Sequence, residues 1–175
     1  MVSFSSVVAF LSPPPLSPVF QPGGQLAGWN EDCILILSIM AFLAVADVFG
    51  TKVLGVKAGA RFFFVHAIAN AVSTVAAFPD FYRAVVGDPT HSFSGPSQTM
   101  VANSAVAAVH LYHVAAFKLK PGDIFHHLTF ASVLCGLAIP FKQTGGVANN
   151  FGCFILSGLP GGIDYCLLVA VKQGY

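Results

Sequence analysis

Five stretches of this chain are almost bare of charge. Residues 33–50, 62–79, 98–117, 124–141 and 147–171 hold between them only two formally charged side chains, Asp47 and Asp164. Each comes close to the roughly 20 apolar residues that carry a helix across a bilayer. Only 9% of the 175 residues are charged and the mean hydropathy is +0.76, whereas a soluble domain carries about 25% charged residues. So few charges cannot solvate a water-soluble globule, but between apolar runs they suit a protein whose backbone must satisfy itself within lipid. The expected fold is an all-α polytopic membrane protein, a bundle of about five transmembrane helices. A net charge of +1 argues against nucleic acid as a partner.

Residues 1–31, opening "MVSFSSVVAFLSPPPLSPVFQPGG", read as a Pro-rich irregular segment. They lack the basic n-region of a secretory signal, and Val7–Leu11 is too short to span. Residues 32–175 form the transmembrane domain. Cys33, Cys135, Cys153 and Cys166 all fall within apolar runs without CxxC spacing, so they are expected to be small buried apolar side chains rather than disulfides or a zinc site.

Gly- and Pro-containing connections, "FGTKVLGVKAG", "VGDPTHSFSGPS", "KLKPGD" and "KQTGG", separate the runs. Threading five spans through them puts Lys52, Lys57, Arg61, Lys118, Lys120 and Lys172 on one side and Arg83 and Lys142 on the other. The positive-inside rule then makes the first side cytoplasmic, or for an organelle the side of insertion. The N-terminus is expected outside and residue 175 inside.

At about 1.5 Å per helical residue, the polar side chains collect toward that basic side. Measured from the basic connections, His66 lies one or two turns into the second span, His113 a similar depth into the third with His110 one turn deeper, His126 and His127 open the fourth, and Asp47 closes the first. Asp164 lies eight residues before Lys172. Only His91 belongs to the opposite loop. Ionisable groups in a membrane cost about 2.5–3.5 kcal/mol each at a helix centre, so several at one depth point to a functional site.

Asp123 has a structural explanation as a helix N-cap accepting from the amides of residues 125 and 126. It also shares a face with His126 and His127, where a carboxylate would orient an imidazole. His110 and His113 are spaced i, i+3 and can face one ligand. Membrane di-iron enzymes use about eight histidines and this chain has six. Zinc asks for only three or four nitrogen or oxygen ligands, but the spacing alone assigns no metal. Axial ligation of haem or chlorophyll is a further use for helix-borne histidines. In "FGCFILSGLPGGIDYCLLVAVK", Pro160 predicts a kink or break, close helix packing best explains the glycines, and Asp164 needs a partner.

With "FFFVHAIANAV", "HLYHVAAF" and "DIFHHLTFASVL", residues 30–175 resemble the TLC-domain family, named for TRAM, Lag1 and CLN8-type proteins. The most specific element is Asp123-x-x-His126-His127. The resemblance implies a helical bundle with a lipid-facing cavity, with His126 and His127 in it as candidate catalytic groups for acyl transfer; together with the depth count, the expected cavity holds a bound lipid and is lined by His66, His110, His113, Asp123 and Asp164. Ceramide synthase chemistry is disfavoured, because "SGLPGGIDY" stands where that enzyme has its second His-Asp motif. The implied function is binding or handling of a lipid acyl chain, in an endomembrane or organellar membrane. The alternative is a non-catalytic accessory subunit of a larger photosynthetic or respiratory complex, in which other membrane subunits are the partners and the histidines make pigment or structural contacts.

Overall fold

A computed structural model describes residues 29–87, 95–136 and 142–175. Most of the Pro-rich segment, together with His91, lies outside the described residues. Among those residues the chain is helical throughout, with no β-strand. Helices α1 (Trp29–Lys52), α2 (Ala58–Val86), α3 (Val101–Ala116) and α4 (Pro121–Leu128) come first, α4 running on into a π-helical segment Thr129–Cys135. Helix α5 (Lys142–Gly152), a second π-helical segment Cys153–Gly158 and α6 (Leu159–Gln173) follow as one interrupted rod. Three helical stretches are long and apolar enough to cross a membrane, Asn30–Lys52, Ala58–Val86 and Gly146–Gln173, which fits an integral membrane protein.

The outward faces support the same reading. On α1, Leu43, Asp47 and Gly50 point inward at i, i+4 and i+7, whereas Ile34, Leu37, Val45 and Val48 are exposed. On the last rod Leu156, Leu159, Ile163, Leu167 and Val171 are exposed as well. Rows of large apolar side chains on this scale mark a surface that faces lipid or another protein.

Helix α3 is shorter than the predicted span 98–117. Its 16 residues reach about 24 Å at 1.5 Å per residue, against roughly 30 Å of hydrocarbon. Thr99 Oγ1 accepts from the Val101 amide at its start, and Phe117 turns extended at its end. Every residue from Ala102 to His110 is buried, as befits a helix lacking a polar outer face. The small residues of "ANSAVAAVH" therefore serve packing inside the bundle, where Val109 and Ala108 meet Leu43, Val65 and Ala69. Cys135 is buried but Cys166 is exposed; all four cysteines are free, and Cys166 faces out of its helix rather than into the core.

Helix α2 overruns its predicted end at Pro79 and continues to Val86. Proline deletes one backbone bond, but the turn beyond it is anchored by Asp80. This buried carboxylate accepts from the Gln98 amide at 2.9 Å and Asn150 Nδ2 at 2.8 Å, and pairs with Arg83 at 3.3 Å. Asn150 also donates to the Thr99 carbonyl, and Arg83 to that of Pro96. One pole of the bundle is thus tied together by polar groups around Asp80. At the other pole Asp47 accepts a two-pronged contact from Arg61 and a 2.7 Å hydrogen bond from Tyr112. There Lys57 also bonds Gln173, so the α1–α2 loop meets the end of α6.

The Gly-rich stretch breaks the last rod where Pro160 predicts. Gly158 has ψ −106°, and Pro160 falls in the first turn of α6, where a missing N–H costs nothing. Gly161 packs against Asn70 of α2, so that a Cβ there would lie 2.9 Å from Asn70 Nδ2. Close packing therefore accounts for the glycines, together with a real break. A harder contact occurs at Gly146, where a Cβ would lie 2.2 Å from the backbone nitrogen of Ser97, beside the bonds that Gly146 and Val147 donate to the Gly95 carbonyl. Backbone cannot swing aside as a side-chain tip can. Gly146→Ala is expected to cost about 1–3 kcal/mol, as overpacking does, and a lower midpoint of thermal unfolding in detergent checks it.

Candidate functional site

The histidines of the basic pole come from three helices. His66 stands two turns into α2, His110 and His113 end α3, and His127 lies near the end of α4. All four are buried, His113 completely. The imidazoles pack on one another: His66 stacks on His113 at 4.2 Å between ring centroids, and His127 meets His113 at 5.3 Å and His110 at 5.0 Å. Aromatic rings close the surround. Phe62 stacks on His113 at 4.1 Å, Phe130 on His110 at 5.3 Å, and Tyr165 of α6 lies 4.3 Å from His66.

Backbone geometry sets which nitrogen each ring offers. His127 Nδ1 lies 2.6 Å from the carbonyl of Asp123, and His110 Nδ1 2.7 Å from that of Val106, each one turn back on its own helix. A carbonyl only accepts, so in both rings Nδ1 carries the proton and Nε2 keeps a lone pair. His127 Nε2 lies 3.3 Å from His113 Nδ1. Two further nitrogens, His113 Nε2 and His66 Nδ1, are buried without any hydrogen-bond partner. Each unsatisfied buried polar atom costs about 1–3 kcal/mol, so the protein alone leaves this cluster incomplete.

One nitrogen from each of His66, His113 and His127 lies within 4.8 Å of the other two. Nitrogens converging on a point this small suit a single ion or a few polar atoms of a ligand. A haem or chlorophyll instead needs a broad planar slot in front of one nitrogen.

The remaining residues expected at the site are placed as follows. His126, beside His127 in sequence, is exposed, with its ring 4.4 Å from Phe130 and 5.6 Å from His110. Asp123 is exposed too; its carboxylate accepts from the Lys120 amide at 3.3 Å. It therefore sits in the first turn of α4 rather than as the N-cap, and it orients His127 through its main-chain carbonyl instead of its carboxylate. Asp164 is exposed, and the face of α6 turned to the histidines presents its neighbour Tyr165. Asp47 is committed to Arg61 and Tyr112, which support the site from one side: Arg61 lies over the Phe117 ring at 4.8 Å, and Phe117 is edge-on to His113 at 4.9 Å.

Sequence reasoning missed Phe62, Tyr165 and the Asp47–Arg61 pair. Phe62 could be read from its i−4 spacing to His66, which puts both on one helical face. Asp47 is the carboxylate nearest the α1–α2 loop and Arg61 opens α2 across it, so a pairing with one of the cations there had a signal, but nothing in the sequence chose Arg61 over Lys52 or Lys57. Tyr165 had none, because the π-helical segment upstream shifts the phase of α6 in a way hydropathy does not reveal.

Two apolar hollows lie elsewhere on the bundle. A groove of about 400 Å³ runs between α2 and α6 past Ala67, Ala71, Thr74, Ile163 and Cys166. A smaller one of about 240 Å³, lined by Asn103, Phe130, Asn149 and Cys153, follows the π-helical segments. Compared with models of known families, with curated proteins and with solved structures, the chain matches none.

Proposed function

We propose that this chain is a TLC-like, five-span integral membrane protein that binds an acyl lipid, with the lipid's polar end toward the histidine pole and its tail along the α2–α6 groove. The observation that carries the reading is the burial of four histidines from three helices in one cluster, inside a bundle whose outer surface is apolar. Such a cluster is expensive in a membrane unless it serves a ligand.

The groove supports the lipid assignment. Its lining is almost wholly apolar, and Val75, Ile163 and Leu167 within it are exposed on the surface of the bundle, as an acyl chain entering from the bilayer requires. Ala67 and Cys166 at its edge adjoin His66 and Tyr165 in sequence, so a tail there would bring its head group near the imidazoles. In this reading the basic residues Lys52, Lys57, Lys118, Lys120 and Lys172 face the side of insertion, and the membrane is an endomembrane or organellar one.

The test is purification of the full chain in mild detergent, followed by mass spectrometry of co-purifying lipids and proteins. A defined lipid is expected in stoichiometric amount. Ala71→Trp, which fills the exposed groove without touching the core, should reduce it by roughly tenfold, the equivalent of about 1.4 kcal/mol. Recovery of only the bulk lipids of the host membrane sinks the reading. Recovery solely within a large complex, without an enriched lipid, would instead support the accessory-subunit alternative.

A further inference from the structure

The geometry points to a metal site: His66, His113 and His127 are the three protein ligands of one zinc-class transition-metal ion held between α2, α3 and α4. This inference needs only the three side chains and stands apart from the lipid reading.

The first ground is distance. Zinc–imidazole bonds of about 2.0–2.1 Å at tetrahedral angles separate neighbouring ligand nitrogens by roughly 3.3–3.4 Å. His113 Nδ1 and His127 Nε2 stand 3.3 Å apart, the edge such an ion requires. The set of three closes within 4.8 Å, so at most about 1.5 Å of side-chain adjustment completes the triangle on the same bond lengths.

The second ground is the outer shell. A metal-bound histidine almost always donates its other ring N–H to a carbonyl or carboxylate, which fixes the tautomer and the ring plane. His127 has this arrangement, with Nδ1 bonded to the Asp123 carbonyl at 2.6 Å and Nε2 directed at the cluster. Asp123-x-x-x-His127 thus works through its backbone, which explains why the Asp123 side chain is free to face outward.

Unmet bonding capacity is the third ground. Without an ion, the only direct bond available among the three rings is from His113 Nδ1 to His127 Nε2, leaving His113 Nε2 and His66 Nδ1 buried with no partner. Coordination through Nδ1 leaves the His113 proton on Nε2, so the unmet capacity that an ion relieves is the lone pair of His66.

The donor set also says what kind of site it is. Imidazole nitrogens suit zinc and its first-row neighbours, whereas magnesium and calcium take oxygen. Three histidines without a fourth protein ligand form the open type of zinc site, in which the last position is kept for water or a substrate oxygen. The nearby carboxylate, Asp47, is engaged by Arg61 and Tyr112, so the ion keeps its full charge and favours an anionic fourth partner.

The experiment uses the full chain in mild detergent, stripped with a chelator and titrated with cobalt(II) as a spectroscopic stand-in for zinc. One cobalt per chain is expected, with the intense visible absorption of a four-coordinate site and a raised midpoint of thermal unfolding. His127→Gln should weaken binding by more than about 100-fold, beyond what loss of an outer-shell hydrogen bond costs. His66→Gln should do the same, and His126→Gln, on the exposed neighbour, should leave the spectrum in place. A folded wild-type chain that shows neither the four-coordinate spectrum nor a shifted midpoint overturns the proposal, and so does His127→Gln binding cobalt like wild type. The wild-type arm decides even if a variant fails to fold, and lipid content is read separately from the same sample.

Discussion

Arg61→Ala should lower the stability of the folded bundle by about 3–5 kcal/mol, the cost of leaving a buried charge uncompensated. Asp47 has no exposed surface, and Arg61 covers both of its oxygens. With the guanidinium gone, only the Tyr112 hydroxyl among the described residues still donates to that carboxylate. The reverse change, Asp47→Ala, is expected to cost less. Arg61 is 37% exposed, so its freed guanidinium can reach water or head groups while keeping its place over Phe117. Arg61→Lys should recover only part of the loss, because an ammonium cannot reproduce the two-pronged fork. Thermal unfolding of all three variants in one detergent, followed by circular dichroism, measures the order. Equal losses for Arg61→Ala and Asp47→Ala would mean that burial of the carboxylate does not control this pole. Since Phe117 links Arg61 to His113, Arg61→Ala should also loosen the histidine cluster.

At the opposite pole the order should invert. Asp80→Ala is expected to cost about 2–4 kcal/mol, more than Arg83→Ala, because the carboxylate there is the hub and its removal strands several donors at once. The Gln98 amide loses its acceptor, Asn150 keeps only the Thr99 carbonyl, and three segments lose their common anchor. Arg83→Ala leaves Asp80 with two donors still in place, and Arg83 itself is 41% exposed. Asp80→Asn should fall between the two, since an amide oxygen in the Oδ2 position keeps the Gln98 and Asn150 donors but the N–H pair in the Oδ1 position faces Arg83 without a charge to pair with it. The same unfolding series tests this, and a larger loss for Arg83→Ala than for Asp80→Ala would refute the assignment of Asp80 as the hub.

The two poles also show how far the sequence could be read. The grouping of basic connections placed Lys57 and Lys172 on one side, and the structure brings the α1–α2 loop against Gln173. It separated these from Arg83, which lies at the Asp80 end. The gathering of His66, His110, His113 and His127 at one depth followed from the same counting, because rise per residue in a helix is fixed and the distance from each helix end can be read directly. Depth is a one-dimensional quantity and needs no knowledge of neighbours.

Rotation about each helix axis was less accessible. His126 and His127 are adjacent, and nothing in "DIFHHLTF" says which one turns inward; packing of α4 on α3 selects His127. Asp164 and Tyr165 pose the same problem, made worse by the π-helical segment that resets the phase before α6. The role of Asp123 was misjudged for a related reason: helix α4 begins at Pro121, which puts the carboxylate in the first turn and the carbonyl under His127. What the sequence by itself determined was the apolar helical character of the chain and the distance of each histidine from its helix end, since these depend on composition and spacing along one axis. What only the tertiary structure decided was which nitrogens meet, which carboxylates are consumed by Arg61 and Arg83, and that three imidazoles close on one point. Those are relations between helices that touch through side chains distant in sequence, and no local pattern fixes the angle at which they face each other.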